Sequence, residues 1–288
     1  HERLSKTTAL AVFSSDALSS TAYATEEILL VLAVAVAYGQ GHAFQYVIPI
    51  SLGIAVLLAI VAISYRQTIH AYPSGGGAYI VAKENLGTTP GLIAAASLLV
   101  DYVLTVSVSI AAGVAAITSA VQGTQLAWLD NHKELLCLFF ILLIALANLR
   151  GVRESGALFA VPTYVFIVSF LLMIGFGIFH YIKFGGAAPA PGESLKLAEG
   201  YHAQPLTLFL ILGAFSNGCS ALTGVEAISN GIPAFKAPEA RNASITLVWM
   251  ALLLTVMFLG TSLLAYLYGV HPSARHHPDH RAGHGRRG

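Results

Sequence analysis

Two stretches of this sequence place an acidic side chain among hydroxyls and small residues inside otherwise apolar segments. Residues 14–21 read Ser-Ser-Asp-Ala-Leu-Ser-Ser-Thr and contain Asp16. Residues 216–226 carry two glycines and several small polar residues and end on Glu226. Carboxylates, hydroxyls and backbone carbonyls supply oxygen atoms that can replace the water shell of a monovalent cation. These residue types therefore indicate a cation site that works without covalent chemistry.

A third apolar segment offers further oxygen donors on one helix face. Tyr102, Thr105 and Ser109 follow one another at i, i+3 and i+7, which is the spacing of a single face. Their hydroxyls could complete a coordination shell, and the alternative is that they bond to their own backbone or to neighbouring helices. Asp101 points about 100° away from Tyr102 and is interpreted as a structural partner. Tyr23, seven residues after Asp16, could close the site from one side.

Composition decides which kind of protein must position these groups. The chain has 288 residues, of which 56% are hydrophobic and 10% charged, and its mean hydropathy is +0.72. A soluble domain carries about 25% charged residues, so this composition excludes soluble, disordered, collagen-like and coiled-coil proteins. The balance of 15 basic and 14 acidic residues implies no nucleic-acid partner. The sequence therefore predicts an all-α polytopic protein of the cell membrane with the lipid bilayer as its surroundings.

Seven apolar runs are long enough to be interpreted as membrane-spanning helices. They are Thr7–Tyr38, Phe44–Tyr65, Pro90–Val121, Leu135–Leu149, Leu158–Ile182, Leu206–Ile232 and Ile245–Tyr268. With a cytoplasmic N-terminus, eight basic residues fall in inside segments and three in outside loops. This bias obeys the positive-inside rule and predicts a cytoplasmic N-terminus.

The first and sixth runs are predicted to be discontinuous helices. The first has 32 residues and as one straight helix would measure about 48 Å, well beyond a hydrocarbon core of about 30 Å. Paired interruptions in corresponding spans are a pointer to the midplane site of a transporter, where freed backbone groups line a cavity. The alternative for each span is a kink whose backbone groups are satisfied by Ser and Thr side chains.

Three motifs resemble a known family of membrane proteins. The segment from Leu4 to Tyr23, the loop from His70 to Tyr79 (His-Ala-Tyr-Pro-Ser-Gly-Gly-Gly-Ala-Tyr) and Thr223-Gly-Val-Glu226 resemble the amino acid–polyamine–organocation (APC) superfamily. Within it, the chain is most similar to the KimA-type potassium/proton symporters, relatives of the Kup potassium transporters. The resemblance implies the leucine-transporter-type fold of two inverted five-helix repeats. Only two spans follow the first five, so the second repeat is incomplete here.

The resemblance also implies a function and a set of site residues. It implies secondary active uptake of K⁺ together with H⁺ by alternating access, with Glu226 as the proton-coupling residue. It implies cation-binding roles for Asp16, Tyr23, Tyr102, Thr105, Ser109, Thr223 and Glu226. No cofactor is expected, and no metal other than the transported monovalent cation. The first polar stretch has no glycine and carries Asp16, which would repel an amino acid carboxylate.

Several alternatives remain open at this stage. An amino acid permease of the same superfamily is one, and an inactive truncated fragment is another. A seven-span receptor or retinal protein fits poorly, because the seventh span lacks a lysine and the N-terminus is predicted inside. No enzyme constellation is visible, and the residues do not specify whether the protein forms a homodimer.

The domain organisation follows from the same runs. Residues 1–270 are predicted to form one permease domain, with a first repeat over about 7–182 and a partial second repeat over about 206–268. Residues 271–288 are rich in His and Arg and share no character with the preceding sequence. They are predicted to be a disordered tail without function, and an out-of-frame origin is one interpretation.

Overall fold

The computed structural model describes residues 3–121, 124–149, 152–185 and 202–270 of the chain. These residues form α-helices, short 3₁₀ segments and turns, and one isolated bridge is their only β pairing. The α-helices are α1 (Lys6–Ala37), α2 (Val47–Ala71), α3 (Gly77–Leu86), α4 (Thr88–Ala120), α5 (Lys133–Asn148), α6 (Val152–Phe184), α7 (Leu208–Gly218), α8 (Ala227–Asn230) and α9 (Glu239–Leu267).

Six helical segments of the described chain are long and apolar enough to cross a membrane. They are Lys6–Ala37, Gly41–Ala71, Thr88–Ala120, Leu158–Phe184, Leu208–Asn230 and Glu239–Leu267. They coincide with six of the seven predicted spans, which confirms a polytopic all-helical membrane protein. The predicted fourth span, Leu135–Leu149, corresponds to α5, which has 16 residues. At about 24 Å it is shorter than a hydrocarbon core of about 30 Å, so the predicted fourth span, and with it the count of seven, stays a prediction.

The predicted break in the first span is wrong, because α1 is one continuous helix of 32 residues. The helix contains neither glycine nor proline, and the hydroxyls of its polar stretch, residues 14–21, bond to its own backbone. Ser20 Oγ donates to the carbonyl of Ala17 at 2.6 Å, and Thr21 Oγ1 donates to that of Leu18 at 2.7 Å. Such bonds keep a polar side chain within a helix without unwinding it. Of the alternative to a break, a kink with locally bonded Ser and Thr side chains, the local bonding is present in the first span.

The predicted break in the sixth span is confirmed. Helix α7 ends at Gly218, a 3₁₀ segment covers Cys219–Leu222, and α8 begins only at Ala227. Between them Thr223 is extended, with φ −62° and ψ 142°. Gly224 follows with φ +79°, a left-handed conformation that favours glycine. This backbone interrupts the helix in the middle of an apolar segment.

Two apolar clusters surround α1 and meet at the break. One contains Leu18, Val225 and Leu247, and the other contains Ile28 and Phe258, all fully buried or nearly so. Leu222, the last residue of the 3₁₀ segment, packs against both clusters. The irregular backbone therefore lies where protein surrounds it, as the lack of water in the bilayer core requires.

Three buried hydroxyls tie α1, α2 and α9 together away from the break. Ser51 Oγ donates to Ser262 Oγ at 2.9 Å, and Thr25 Oγ1 lies 3.0 Å from the same Ser262 oxygen. All three side chains are buried. Hydrogen bonds between helices of this kind hold membrane bundles together where apolar contacts alone give little preference.

The segment before α1 is paired with the segment after α8. The amide of Leu4 donates to the carbonyl of Ala234 at 2.7 Å, and the amide of Lys236 donates to the carbonyl of Leu4 at 3.0 Å. Beside this short bridge, Arg3 and Glu239 form an ion pair. The starts of α1 and α9 therefore lie next to each other at one end of the protein.

Two further predictions are left untested by this architecture. The division into a first repeat and a partial inverted second repeat stays a prediction. The predicted tail over residues 271–288 lies outside the described residues.

Candidate functional site

The break in the sixth span brings its backbone against Asp16 of α1. A Cβ placed on Gly224 would lie 2.9 Å from Asp16 Oδ2 and 3.0 Å from the amide nitrogen of Ala17. An added Cβ would require the Asp16 side chain and the Ala17 backbone to shift, so glycine suits both the close approach and the positive φ. The Asp16 carboxylate therefore packs directly on the interrupted segment, although α1 itself is continuous.

Three carboxyl groups lie near this contact. Asp16, Asp101 and Glu226 are close enough for each to interact electrostatically with the other two. Glu226 is 8% exposed, and its Oε1 is buried without a hydrogen-bond partner. Over residues 3–121, 124–149, 152–185 and 202–270, no lysine or arginine pairs with any of the three. Buried acidic groups without a basic partner need protons or a cation to be stable.

Hydroxyls and amides surround the same place. The Tyr23 side chain lies near the hydroxyls of Ser109 and Thr223 and near the charge of Asp16. On the other side, Asn230 Nδ2 donates to the Tyr102 hydroxyl at 2.6 Å. Three helices and the break thus contribute oxygen atoms to one region.

Several of these polar atoms are buried and lack a partner. Besides Glu226 Oε1, they are Ser109 Oγ, Ser220 Oγ and Asn230 Oδ1. Most buried polar atoms in native proteins are hydrogen-bonded, so each exception calls for an explanation. Carboxylate, amide and hydroxyl oxygens of this kind are the ligands that a cation without its water shell prefers.

A cavity of about 520 Å³ opens beside α1 between α4, α5 and α6. Its lining combines polar groups of the site with apolar side chains. The lining residues are Val12, Ser15, Asp16, Ser19, Tyr102, Val106, Ser109, Ile110, Ile144, Asn148 and Phe159. Asp16 and Ser109 therefore lie on the wall of this cavity.

Comparisons with known proteins agree with this architecture. The sequence model of a family described as amino acid permease matches residues 4–274 of the chain. The chain belongs to this family. The description of the family agrees with the expectation of a membrane transport protein.

A curated relative narrows the comparison within the permeases. The potassium transporter KimA of Bacillus subtilis (strain 168) is 52% identical over 271 residues, which cover 94% of this chain. The same alignment covers 42% of the relative, so this chain spans less than half of the relative's length. The resemblance to KimA-type proteins stated from the sequence motifs is confirmed.

The structure of this permease brings most of the predicted site residues together. Asp16, Tyr102 and Ser109 line the cavity, and Tyr23 interacts with Thr223 and Ser109 at its edge. Glu226 is buried behind them. Thr105 is buried on α4 between Tyr102 and Ser109, and it does not belong to the residues described as lining the cavity. The assignment of all seven residues to a cation site stays a prediction.

Three contributors were missed or undervalued in the sequence. Asn230 lies four residues after Glu226, a separation that puts both on one helix face, so extending the polar pattern by one turn would have found it. Tyr65 of α2 interacts electrostatically with Glu226 and Tyr102. No spacing in the sequence relates Tyr65 to the sixth span. Asp101, interpreted as a structural partner, interacts with both site carboxylates.

Proposed function

We propose that this chain carries the cation site of a secondary active transporter that takes up K⁺ together with H⁺ by alternating access. The observation that supports it most directly is the contact of Asp16 with Gly224 beside the unpartnered Glu226 Oε1. Such a site combines two carboxyl groups, a set of unsatisfied oxygens and no basic partner among the described residues. The choice of potassium rests on the name of the 52% identical relative.

The ligands in this proposal differ from those expected for two broken helices. Since α1 is continuous, it offers the Asp16 carboxylate and the Tyr23 hydroxyl, and not free carbonyls. Backbone oxygens come from the break between Ser220 and Gly224. Tyr102, Thr105 and Ser109 complete the shell from α4, with Thr223 and Glu226 from the sixth span.

Glu226 is proposed as the proton carrier. It is the more buried of the two site carboxylates, and a carboxyl group in a poorly solvated place near other acids holds a proton readily. Protonated Glu226 and K⁺ would together neutralise the pair formed with Asp16. Release of both on one side of the membrane would leave the empty site with like charges facing each other. Loading of ion and proton is thereby linked.

The proposal includes the membrane arrangement predicted from the sequence. The N-terminus is cytoplasmic, and α5 together with the preceding 3₁₀ segment Ala127–His132 makes the fourth of seven spans. The first repeat covers α1 to α6, and α7 to α9 begin an inverted second repeat. Insertion of the chain into membranes with reporter groups at the two ends of α5 tests whether this helix crosses the membrane. Reporters found on the same side of the membrane would contradict the crossing.

Equilibrium binding of radioactive rubidium, a potassium mimic, to the purified chain in nanodiscs tests the site. Asp16→Asn is expected to lose rubidium binding. Glu226→Gln is expected to lose the pH dependence of rubidium binding. Glu84→Gln is the matched control, because Glu84 is an exposed carboxylate on α3. Unchanged rubidium binding in Asp16→Asn, or a retained pH dependence in Glu226→Gln, would contradict the assigned roles.

The two alternatives have their own readouts. Competition of rubidium binding by amino acids and not by K⁺ would favour an amino acid permease, the description of the matching family. Against it, the Asp16 carboxylate lies against Gly224 of the break, where a substrate carboxylate would be repelled. Flux into liposomes separates an active chain from an inactive fragment, since a fragment with an intact site would bind rubidium without moving it.

A further inference from the structure

A second cavity lies far from the carboxylates, at the end of the protein where α1 and α9 begin. It has a volume of about 290 Å³ and forms a groove between these two helices. Its lining residues are Lys6, Thr7, Leu10, Ile245, Thr246 and Trp249. None of them belongs to the proposed cation site, so the groove has no assigned role.

The groove changes character along its length. Lys6 is the first residue of α1 and is exposed. Trp249 lies ten residues into α9, which is about 15 Å deeper along the helix, and it is 56% exposed. The Arg3–Glu239 ion pair places the starts of α1 and α9 side by side, so depth along either helix is measured from the same end of the protein. A positive group thus stands at the mouth, and an apolar aromatic surface lies further in.

The surroundings of the mouth are also positively charged. The segments Arg3–Lys6 and Lys236–Arg241 contain four basic residues and one acidic residue. The acidic residue, Glu239, is paired with Arg3, which leaves the charges of Lys6, Lys236 and Arg241 without a described ion pair. Basic pockets between transmembrane helices at a membrane surface attract anionic head groups.

One wall of the groove is fixed from behind. The hydroxyl of Tyr164 on α6 donates to the carbonyl of Thr7 at 2.9 Å. Thr246 on the opposite wall is buried, and its hydroxyl donates to the carbonyl of Asn242 at 2.9 Å. The Thr7 carbonyl and the Thr246 hydroxyl are therefore already used, and the surface below the cationic mouth is mostly apolar.

We propose that an anionic phospholipid occupies this groove, with its phosphate at Lys6 and an acyl chain along Leu10, Ile245 and Trp249. The order of charge and apolar surface matches the order of head group and chain in a lipid whose phosphate lies at the membrane surface. Because α1 also carries Asp16, an ordered lipid here would hold the starting turns of that helix against α9. The proposal depends on the protein being in a membrane and does not depend on the transported ion.

Quenching of tryptophan fluorescence by brominated lipids tests this proposal directly. The chain has two tryptophans, so Trp128→Phe leaves Trp249 as the single reporter. In nanodiscs, dibrominated phosphatidylglycerol is expected to quench Trp249 at a several-fold lower mole fraction than dibrominated phosphatidylcholine. In the same background Lys6→Gln should abolish this preference and Lys6→Arg should retain it. Lys83→Gln, which removes an exposed lysine of α3, should leave it unchanged.

Three results would overturn the proposal. Equal quenching by the two brominated lipids would mean that only unselective boundary lipid contacts Trp249. If Lys6→Gln kept the full preference for brominated phosphatidylglycerol, Lys6 would not bind the lipid phosphate and the proposed head-group site would be wrong. Loss of the preference on adding inorganic phosphate would identify a free anion as the occupant. The lipid comparison itself needs no groove variant, so it decides the question even if Lys6→Gln is unstable.

Discussion

Replacing Gly224 by alanine tests the central contact of the site. The new Cβ would lie 2.9 Å from Asp16 Oδ2 and 3.0 Å from the backbone nitrogen of Ala17. The carboxylate can rotate away, but the Ala17 nitrogen is part of a continuous helix and cannot. In addition, alanine at φ +79° costs about 1–2 kcal/mol relative to glycine. The substitution is therefore expected to push α1 and the break apart and to displace Asp16.

A matched control isolates these effects. Gly113 lies on the exposed surface of α4 and has an ordinary helical conformation, and a Cβ added to it would meet no atom within 4 Å. Alanine there should stabilise the helix by about 0.5–1 kcal/mol. The two variants are thus expected to differ by at least about 1.5 kcal/mol in the free energy of unfolding, with Gly224→Ala the less stable.

Rubidium binding and thermal unfolding in nanodiscs measure both consequences. If displacement of Asp16 removes about 1.4 kcal/mol or more of binding free energy, the affinity of Gly224→Ala falls by at least about tenfold. Gly113→Ala should bind rubidium like the unmodified chain. Normal affinity and normal thermal stability in Gly224→Ala would refute the close approach of Asp16 to the break, and with it the proposed site.

Three further substitutions have distinct expected outcomes. Ser262→Ala removes the shared partner of two buried hydroxyls and should destabilise the protein by about 1–3 kcal/mol, seen as a lower melting temperature. Ser107→Ala, at an exposed position of α4, is the control and should change the melting temperature of the protein little. Asn230→Ala removes the donor to Tyr102 and should weaken rubidium binding several-fold without unfolding the chain; unchanged affinity would separate Tyr102 from the site. Arg3→Ala breaks a solvent-exposed ion pair and should change the temperature of thermal unfolding little, so a large decrease would mean that the pair is shielded from water.

The sequence was sufficient to predict the spans and one of the two breaks, for reasons visible in the residues. Long apolar runs are decided by the bilayer, so six of the predicted spans coincide with described helices. In the sixth span Gly224 adopts a positive φ that other residues resist. Gly218 ends α7 with an ordinary helical conformation, and Ile28 and Ile54 leave no room for a Cβ there. In the first span the polar residues are serines, threonine and aspartate, and the hydroxyls among them bond to carbonyls three or four residues earlier. Polarity alone therefore does not interrupt a helix.

The partners across the site could not be read from local patterns. Asn230 and Tyr102 are 128 residues apart, and their hydrogen bond depends on how α8 and α4 are placed by the rest of the bundle. Tyr65 reaches Glu226 from α2 for the same reason. The family motif, by contrast, pointed to Asp16 and Glu226 because each is embedded in a short segment of its own.

The backbone bridge between Leu4 and the residues on either side of Phe235 constrains how this protein can change shape. Its two backbone hydrogen bonds connect the segment before the first span to the segment that follows the sixth span. A swing of either helix end alone would break both bonds at once. The two helix ends are therefore expected to move together as one rigid unit in any change of shape at this end of the protein.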